Sequence, residues 1–189
     1  MNNDGIDGEK RLFIEYQFAV NAVAGALQRN KTYKKGADKS QKTAFRNDLM
    51  CKLRECGKKY FKPVNSDSHI KNIKELADCL SIAHKDTLEG KKARLGTAQK
   101  ALNLYLKFLW CSGVIEPAPP HCPVDRIIIT KLKIKFDSRT PSWTKIDTPE
   151  DYQKIIETIS LNSGKLSPSE WEVKVWNAQS SLPEGFKHD

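Results

Sequence analysis

Hydrophobic residues recur three and four positions apart along most of the chain, which is the period of amphipathic α-helices. A first helix is predicted over about residues 9–29, where the spacing holds at Leu12, Tyr16, Ala19, Val23 and Leu27. A second is predicted from a cap at Ser40 to a break at Pro63, because proline cannot continue a helix. A third has its apolar stripe at Ile70, Ile73, Ala77 and Leu80.

Two further helix starts are predicted near the C-terminus, at "TPED" (148–151) and "SPSE" (167–170). Each places a hydroxyl cap before proline, with an acid three residues on. Only the run Ile127–Ile129 has the composition of a strand. The pattern therefore predicts an all-α fold. We expect residues 1–189 to form one domain, with two helical lobes and a cleft between them.

The segment "TAQKALNLYLKFLWC" (97–111) is apolar nearly all round, which is typical of a helix buried by its neighbours. Its polar residues Lys100, Asn103 and Lys107 are three and four apart, so they form one narrow stripe. Before it lies a glycine-bounded basic turn, "EGKKARLG" (89–96). A helix, a basic turn and a second helix can grip a DNA backbone, because the N-terminus of the second helix attracts phosphate.

The charge of the chain agrees with a polyanionic partner. Lys and Arg number 32 against 23 Asp and Glu, which gives a net charge of +9 and an isoelectric point near 9.3. An excess of this size is typical of proteins that bind nucleic acid, although basic domains without such a partner exist. The five cysteines are irregularly spaced and form no C-x-x-C pair, so no metal site is predicted.

No targeting or membrane segment is expected. The N-terminus "MNNDGIDGEK" is polar and acidic, unlike the basic start of a signal peptide. The apolar stretch after it is short and interrupted by Glu15. We therefore expect a cytoplasmic protein, associated with the nucleoid if its source is prokaryotic.

The stretch "HCPVDRIII" (121–129) places a carboxylate, Asp125, at the start of an apolar run. An Asp after Pro-Val at a helix start is commonly an N-cap. The alternative is a reactive carboxylate, with the isoleucines anchoring its helix in the core. A lysine such as Lys100 on a helix is likewise commonly a solvated side chain.

Several of these residues together resemble the helix-hairpin-helix DNA glycosylases. Gly96–Thr97, Lys100 opening an apolar helix, and "PHCPVDR" after a turn are similar to the 8-oxoguanine DNA glycosylase/AP lyase branch. The pairing of Gln99–Lys100 with Pro123–Val124–Asp125 resembles its compact archaeal members. The similarity covers about residues 89–135.

The resemblance implies a set of roles for these residues. Lys100 would be the nucleophile that forms a Schiff base with the sugar, and Asp125 its electrostatic and acid-base partner. The hairpin would bind DNA phosphates through Lys91, Lys92, Arg94, Gly96 and Thr97. It further implies a monomer without metal or cofactor, acting on double-stranded DNA that contains a damaged or modified base.

The chain also departs from the family pattern. Its hairpin "ARLGT" keeps one glycine where the usual hairpin has two, and we expect neither the N-terminal β-domain of the larger eukaryotic relatives nor a four-cysteine cluster. Candidates for the wall of a base pocket are Trp110, Trp143 and His121, for which simple core packing is the alternative. The identity of the base stays open, oxidised guanine being the family default.

Two other classes of function remain compatible with the sequence. A non-catalytic helix-hairpin-helix DNA-binding module needs the basic turn but not a meeting of Lys100 with Asp125. A basic helical interaction domain needs neither, and its basic surface would serve solubility or the binding of an acidic protein partner.

Overall fold

The computed structural model describes residues 4–28, 30–135 and 142–178, with side chains from residue 7 onward. Within these ranges lie seven α-helices: α1 (Asp4–Leu27), α2 (Lys39–Gly57), α3 (Ser66–His84), α4 (Leu95–Cys111), α5 (Arg126–Lys131), α6 (Pro149–Asn162) and α7 (Pro168–Asn177). The described part of the chain contains no strand, and the run Ile127–Ile129 is helical within α5. The all-α prediction is confirmed for these residues.

Helix α4 is the centre of the fold. Helices α1, α2 and α3 pack against it, and α6 packs against α3 and α7. Eleven of its residues are buried, from Leu95 to Leu109. The buried apolar side chains form one connected cluster that runs from Ala19 in α1 to Val175 in α7. The division into two lobes with a cleft between them stays a prediction.

The helix starts follow local capping chemistry. Thr148 accepts the amide of Asp151, and Ser167 forms a reciprocal capping box with Glu170, so both predicted starts are confirmed. The predicted cap at Ser40 is wrong: Asp38 caps α2 by accepting the amide of Gln41. Asp38 stands two residues earlier and has an equally suitable side chain.

The linker between α1 and α2 lies beside the basic turn between α3 and α4. Tyr33 and Leu88 form an isolated antiparallel bridge. The amide of Lys34 donates to the carbonyl of Thr87 at 3.0 Å, and the amide of Glu89 donates to the carbonyl of Thr32 at 2.9 Å. These bonds hold two basic loops side by side.

Among the helices described, none is long and apolar enough to cross a bilayer.

Candidate active site

Asp125 uses its two carboxylate oxygens differently. Oδ1 caps α5 by accepting the amides of Ile127 at 2.9 Å and Ile128 at 3.2 Å. Oδ2 lies 3.8 Å from Nζ of Lys100. The helix-cap interpretation of Asp125 is therefore confirmed, and the same carboxylate also faces the amine of Lys100. A reactive role for this carboxylate stays a prediction. The cap fixes the carboxylate, and the second oxygen is directed at α4.

Lys100 reaches this carboxylate from the second turn of α4. Its side chain is 13% exposed and that of Asp125 is 27% exposed, so the pair is half-buried rather than solvated. The 3.8 Å separation between Nζ and Oδ2 exceeds hydrogen-bond length. The two groups attract each other, but their distance leaves the carboxylate oxygen and the amine without a direct bond between them.

Trp143 covers the same lysine. Nζ of Lys100 lies 4.4 Å from the centre of the indole ring, which is cation–π range. The tryptophan is 7% exposed and belongs to a short 3-10 turn, Trp143–Lys145, which packs on the N-terminus of α4. Lys100 is thus enclosed by Asp125 and by an aromatic face.

Gly96 allows this close packing. Its amide donates to the carbonyl of Ile146 at 2.8 Å. A Cβ atom at this position would collide with the carbonyl oxygen of Trp143. The single glycine of the hairpin therefore serves the approach of the Trp143 turn to α4, and through it the position of the indole ring beside Lys100.

The side chain of Gln99 binds the backbone immediately before Asp125. Its Nε2 donates to the carbonyl of Val124 at 2.7 Å, and its Oε1 accepts the amide of Val124 at 3.1 Å. Both residues are fully buried. The residue next to Lys100 in the sequence therefore holds the residue next to Asp125, across 25 positions of the chain.

A buried polar network lies behind Gln99. Asn103 donates through Nδ2 to Oε1 of Gln99 at 3.3 Å and to the hydroxyl of Tyr152 at 3.0 Å. Its Oδ1 is 2.9 Å from Nε2 of His69, and Nδ1 of His121 is 3.1 Å from the Tyr152 hydroxyl. Sequence analysis placed Asn103 on a stripe with two lysines, but it is fully buried and faces this network.

The bonding pattern assigns the protons of the network. Since Oδ1 of Asn103 can only accept, Nε2 of His69 donates to it, and Nδ1 of His69 accepts from the hydroxyl of Tyr60 at 2.6 Å. The Tyr152 hydroxyl accepts from Asn103, and its bond to Nδ1 of His121 runs in the direction that the tautomer of His121 sets. Neutral imidazoles at both positions are compatible with all of these bonds.

The pKa values agree with neutral imidazoles. Burial lowers the pKa of His69 to about 4, against a smaller opposing effect of its bond to Asn103. Burial also holds the pKa of His121 well below its usual value, and the neighbouring His69 lowers it further. Near neutral pH the network is uncharged and each ring nitrogen has a partner.

The basic turn places the predicted phosphate-binding residues at the start of α4. Lys91 and Lys92 are exposed, and Lys91 has a left-handed backbone with φ of 59°. Nζ of Lys92 lies 3.1 Å from Asp147, and Arg94 donates to the carbonyl of Thr144 at 3.1 Å. Lys92 and Arg94 therefore also attach the turn to the segment that follows Trp143.

Gly96 and Thr97 lie inside the protein. Both are buried, and Thr97 accepts a hydrogen bond from the side chain of Asn30 through its hydroxyl. The amides of Thr97 and Ala98 are directed to the carbonyl of Arg94, and that of Gly96 to Ile146. In this arrangement Gly96 and Thr97 shape the turn. Contact with phosphate stays a prediction for Lys91, Lys92 and Arg94, whose side chains are exposed or half-exposed.

Of the three pocket candidates, Trp143 joins Lys100 and the other two do not. Trp110 is ten residues along α4, about 15 Å from Lys100 along the helix axis. His121 is 1% exposed, and both of its ring nitrogens have partners, Ser66 and Tyr152. These contacts agree with simple core packing, which was the alternative considered for His121 from the sequence.

A second lysine–carboxylate pair was not foreseen from the sequence. Nζ of Lys107 lies 2.7 Å and 3.0 Å from the two oxygens of Glu172 in α7, whose side chain is 6% exposed. Burial raises the pKa of Glu172, while Lys107 opposes that rise. No local pattern marks this pair, because its partners are 65 residues apart.

Comparison of the chain with protein-family models, with curated proteins and with solved structures finds no match.

Proposed function

We propose that the protein is a DNA glycosylase with AP lyase activity, which removes a damaged or modified base from duplex DNA. The observation that carries the proposal is the Lys100–Asp125 pair, with Nζ 3.8 Å from Oδ2 and the carboxylate fixed by the amides of α5. The resemblance of residues 89–135 to the helix-hairpin-helix glycosylases assigns the same two residues to the reaction.

Asp125 stabilises the transition state in which the base leaves the sugar. As the bond between the base and C1′ breaks, the sugar becomes electron-poor and gains oxocarbenium character. A carboxylate held nearby stabilises this charge, and it does so best when it need not move during the reaction. The cap on Oδ1 meets that requirement, since it fixes the group while Oδ2 faces the amine.

Lys100 serves as the nucleophile. Its unprotonated amine attacks C1′, the bond to the base breaks, and the electron pair of that bond leaves with the base. The attacking nitrogen then gives a proton to Asp125, which passes it to the departing base. The nitrogen lone pair next displaces O4′ from C1′ and opens the sugar ring. O4′ takes a proton from solvent, and a protonated Schiff base links Lys100 to C1′.

Strand cleavage follows from the Schiff base. The positively charged imine makes the proton on C2′ acidic, and the Asp125 carboxylate accepts that proton. The electron pair left on C2′ forms a C2′–C3′ double bond, and the C3′–O bond breaks so that the 3′ phosphate leaves by β-elimination. The chain's own groups supply this chemistry without a metal or a cofactor.

The basic turn provides the proposed grip on DNA. Lys91, Lys92 and Arg94 stand at the end of α4 that also carries Lys100, and the net charge of +9 favours a polyanion. Phosphate contacts here would orient a duplex with its flipped nucleotide toward Asp125. We propose that one protein molecule acts alone on one duplex.

The test is a panel of duplexes that each carry one damaged or modified base, including oxidised guanine. Base release, strand nicking and trapping by borohydride are measured for the wild type and for Lys100→Gln. Borohydride reduces the imine, so the wild type should become covalently attached to its substrate. Lys100→Gln should lose the attached complex and keep DNA binding.

Other outcomes identify the alternatives. Base release by Lys100→Gln without trapping would make water the nucleophile and leave Asp125 as the group that carries the chemistry. Salt-sensitive DNA binding without base release from any duplex would indicate the non-catalytic DNA-binding module. Absence of DNA binding by the wild type would favour the interaction domain.

A further inference from the structure

The side chain of Gln99 in α4 binds the backbone of Val124, the residue before Asp125. The side-chain amide of Gln99 makes both possible hydrogen bonds with the backbone of Val124, at 2.7 Å and 3.1 Å. A paired contact of this kind fixes orientation as well as distance, because the two bonds must be satisfied together. The next residue along the chain is Asp125.

The orientation of the Gln99 amide is itself fixed. Asn103, one turn further along α4, donates to the same Oε1 that accepts the Val124 amide. A flipped Gln99 would place its NH₂ group against two donors, which is unfavourable in a buried site. Asn103 is held in turn by Tyr152 and His69.

We propose that Gln99 is a positioning residue, which sets Asp125 Oδ2 opposite Lys100 through its paired contact with the Val124 backbone. The inference rests on the proposed function and deepens it. Helix α5 has only six residues, Arg126–Lys131, so its own hydrogen bonds give little hold on its N-terminus. The buried side chains of Ile128 and Ile129 anchor the body of α5, and the attachment of Val124 to α4 sets the position of the capping carboxylate at its N-terminus.

The central test compares Gln99→Met with Tyr60→Phe. Methionine keeps the length of glutamine and removes both bonds to Val124. Tyr60→Phe removes the hydroxyl that bonds His69 and Asn72 at the other end of the network, and it leaves the Val124 contact intact. The two variants therefore lose buried hydrogen bonds in the same network, and only Gln99→Met disturbs Val124.

Base release is measured in a single turnover at saturating DNA. We expect Gln99→Met to be slower by about 10²-fold, the size of effect that a displacement near 1 Å has on a positioned group. Tyr60→Phe should stay within about threefold of the wild type, and DNA affinity should be unchanged in both.

A double variant separates positioning from a general structural effect. In an Asp125→Asn background, Gln99→Met should cost little more, because the group that it positions has lost its charge. An equal loss of rate in both backgrounds would overturn the proposal, as would a wild-type rate in Gln99→Met.

Two measurements on the DNA-free protein decide the proposal even if no duplex proves to be a substrate. Amide hydrogen exchange at Val124 should accelerate at least tenfold in Gln99→Met beyond its global change, and not in Tyr60→Phe. The ¹⁵N resonance of the Lys100 amine should shift in Gln99→Met in the direction produced by Asp125→Asn. Unchanged exchange, or a Lys100 resonance that responds only to Asp125→Asn, would overturn the positioning role. Absence of base release by the wild type would overturn the glycosylase proposal alone.

Discussion

Helix α4 carries two lysines on one face, seven residues and two turns apart, and each lies beside a carboxylate and a tryptophan. Lys107 binds both oxygens of Glu172 at 2.7 Å and 3.0 Å. Lys100 stands 3.8 Å from one oxygen of Asp125, whose other oxygen caps α5. The first pair is a closed ion pair that joins α4 to α7. In the second, the carboxylate is held by backbone amides and presents its other oxygen to the amine.

This difference separates structural from reactive use of the same residue types. A buried ion pair adds little to the free energy of unfolding, because desolvation of the two charges offsets their attraction. Removing one partner lowers that free energy strongly, because the other charge is then buried without compensation. A carboxylate that is fixed independently of its lysine tolerates removal of that lysine, since its charge keeps other partners. We therefore expect opposite responses from the two pairs, in activity for one and in stability for the other.

The largest expected effect is that of Asp125→Asn on base release. Asparagine caps a helix about as well as aspartate, so the fold should change little, while the charge that stabilises the sugar is lost. The rate should fall by about 10³-fold or more, equivalent to about 4 kcal/mol of transition-state stabilisation.

The matched variant is Glu172→Gln, which removes the corresponding charge from the other pair. Per folded molecule it should release base at nearly the wild-type rate. Single-turnover kinetics and thermal unfolding of both variants make the comparison. Unfolding of Asp125→Asn, or equally slow base release by Glu172→Gln, would contradict the assignment of Lys100–Asp125 as the reactive pair and Lys107–Glu172 as the structural pair.

The second effect concerns stability. Lys107→Met should lower the free energy of unfolding by about 3 kcal/mol, because it leaves the carboxylate of Glu172 buried without its partner. Lys100→Met should cost less than about 1 kcal/mol, because Asp125 keeps both amide bonds and is partly exposed. Urea unfolding measures both.

A double variant checks the cause. Lys107→Met with Glu172→Leu should recover most of the loss, since no buried charge is then left unpaired. The penalty of Lys107→Met alone should shrink as the pH is lowered, because the raised pKa of Glu172 lets that carboxyl become neutral in the folded state. A penalty that is independent of pH would contradict this origin.

Local signals predicted the helices better than they predicted the site. The starts of α6 and α7 depend on residues within four positions of each other, Thr148 to Asp151 and Ser167 to Glu170, and both were found from the sequence. The cap of α2 was misplaced because Asp38 and Ser40 offer the same chemistry two residues apart. Competition between equivalent neighbours is decided by backbone geometry, which the pattern does not contain.

The site depends on contacts between distant parts of the chain. Lys100 and Asp125 were found through a family resemblance, and no periodicity relates them. The contact of Gln99 with Val124 and the pairing of Lys107 with Glu172 need the packing of α4 to be known. A polar residue on a helix that is apolar nearly all round, such as Gln99 or Asn103, was the available signal for a buried network.

The third effect is the response of stability to pH. The folded pKa of His69 is lowered to about 4, below the unfolded value of about 6.5, so the unfolded state takes up more protons on acidification. Stability is fully present above pH 6.5 and is lost as the pH falls toward 4. His69 alone should cost about 2 kcal/mol between pH 8 and pH 5.

The Glu172 pair responds with the opposite sign, because its raised pKa contributes stability on the acid side that is lost as the pH rises through the folded value. Urea unfolding at pH 8, 6.5 and 5 measures the net slope. His69→Gln should flatten it, since an amide offers a donor and an acceptor but takes up no proton. A slope unchanged by this variant would contradict a neutral buried His69.

The smallest effect tests which end of α4 faces DNA. Replacing Lys91, Lys92 and Arg94 by alanine should weaken binding to every duplex about equally, by about tenfold, because phosphate contacts carry no sequence information. The slope of log affinity against log salt should fall by about 0.9 for each phosphate that the variant no longer binds.

The control replaces Lys154, Lys165 and Lys174, three exposed cations of the α6–α7 region, so that the net charge changes equally. Lys154 lies 3.9 Å from Asp151, much as Lys92 pairs with Asp147, which makes the two sets comparable. If both triple variants lose affinity alike, binding follows net charge alone. If only the α6–α7 variant weakens, DNA approaches from the Lys107 end of the helix, and the Lys100 pair is not the site that meets it.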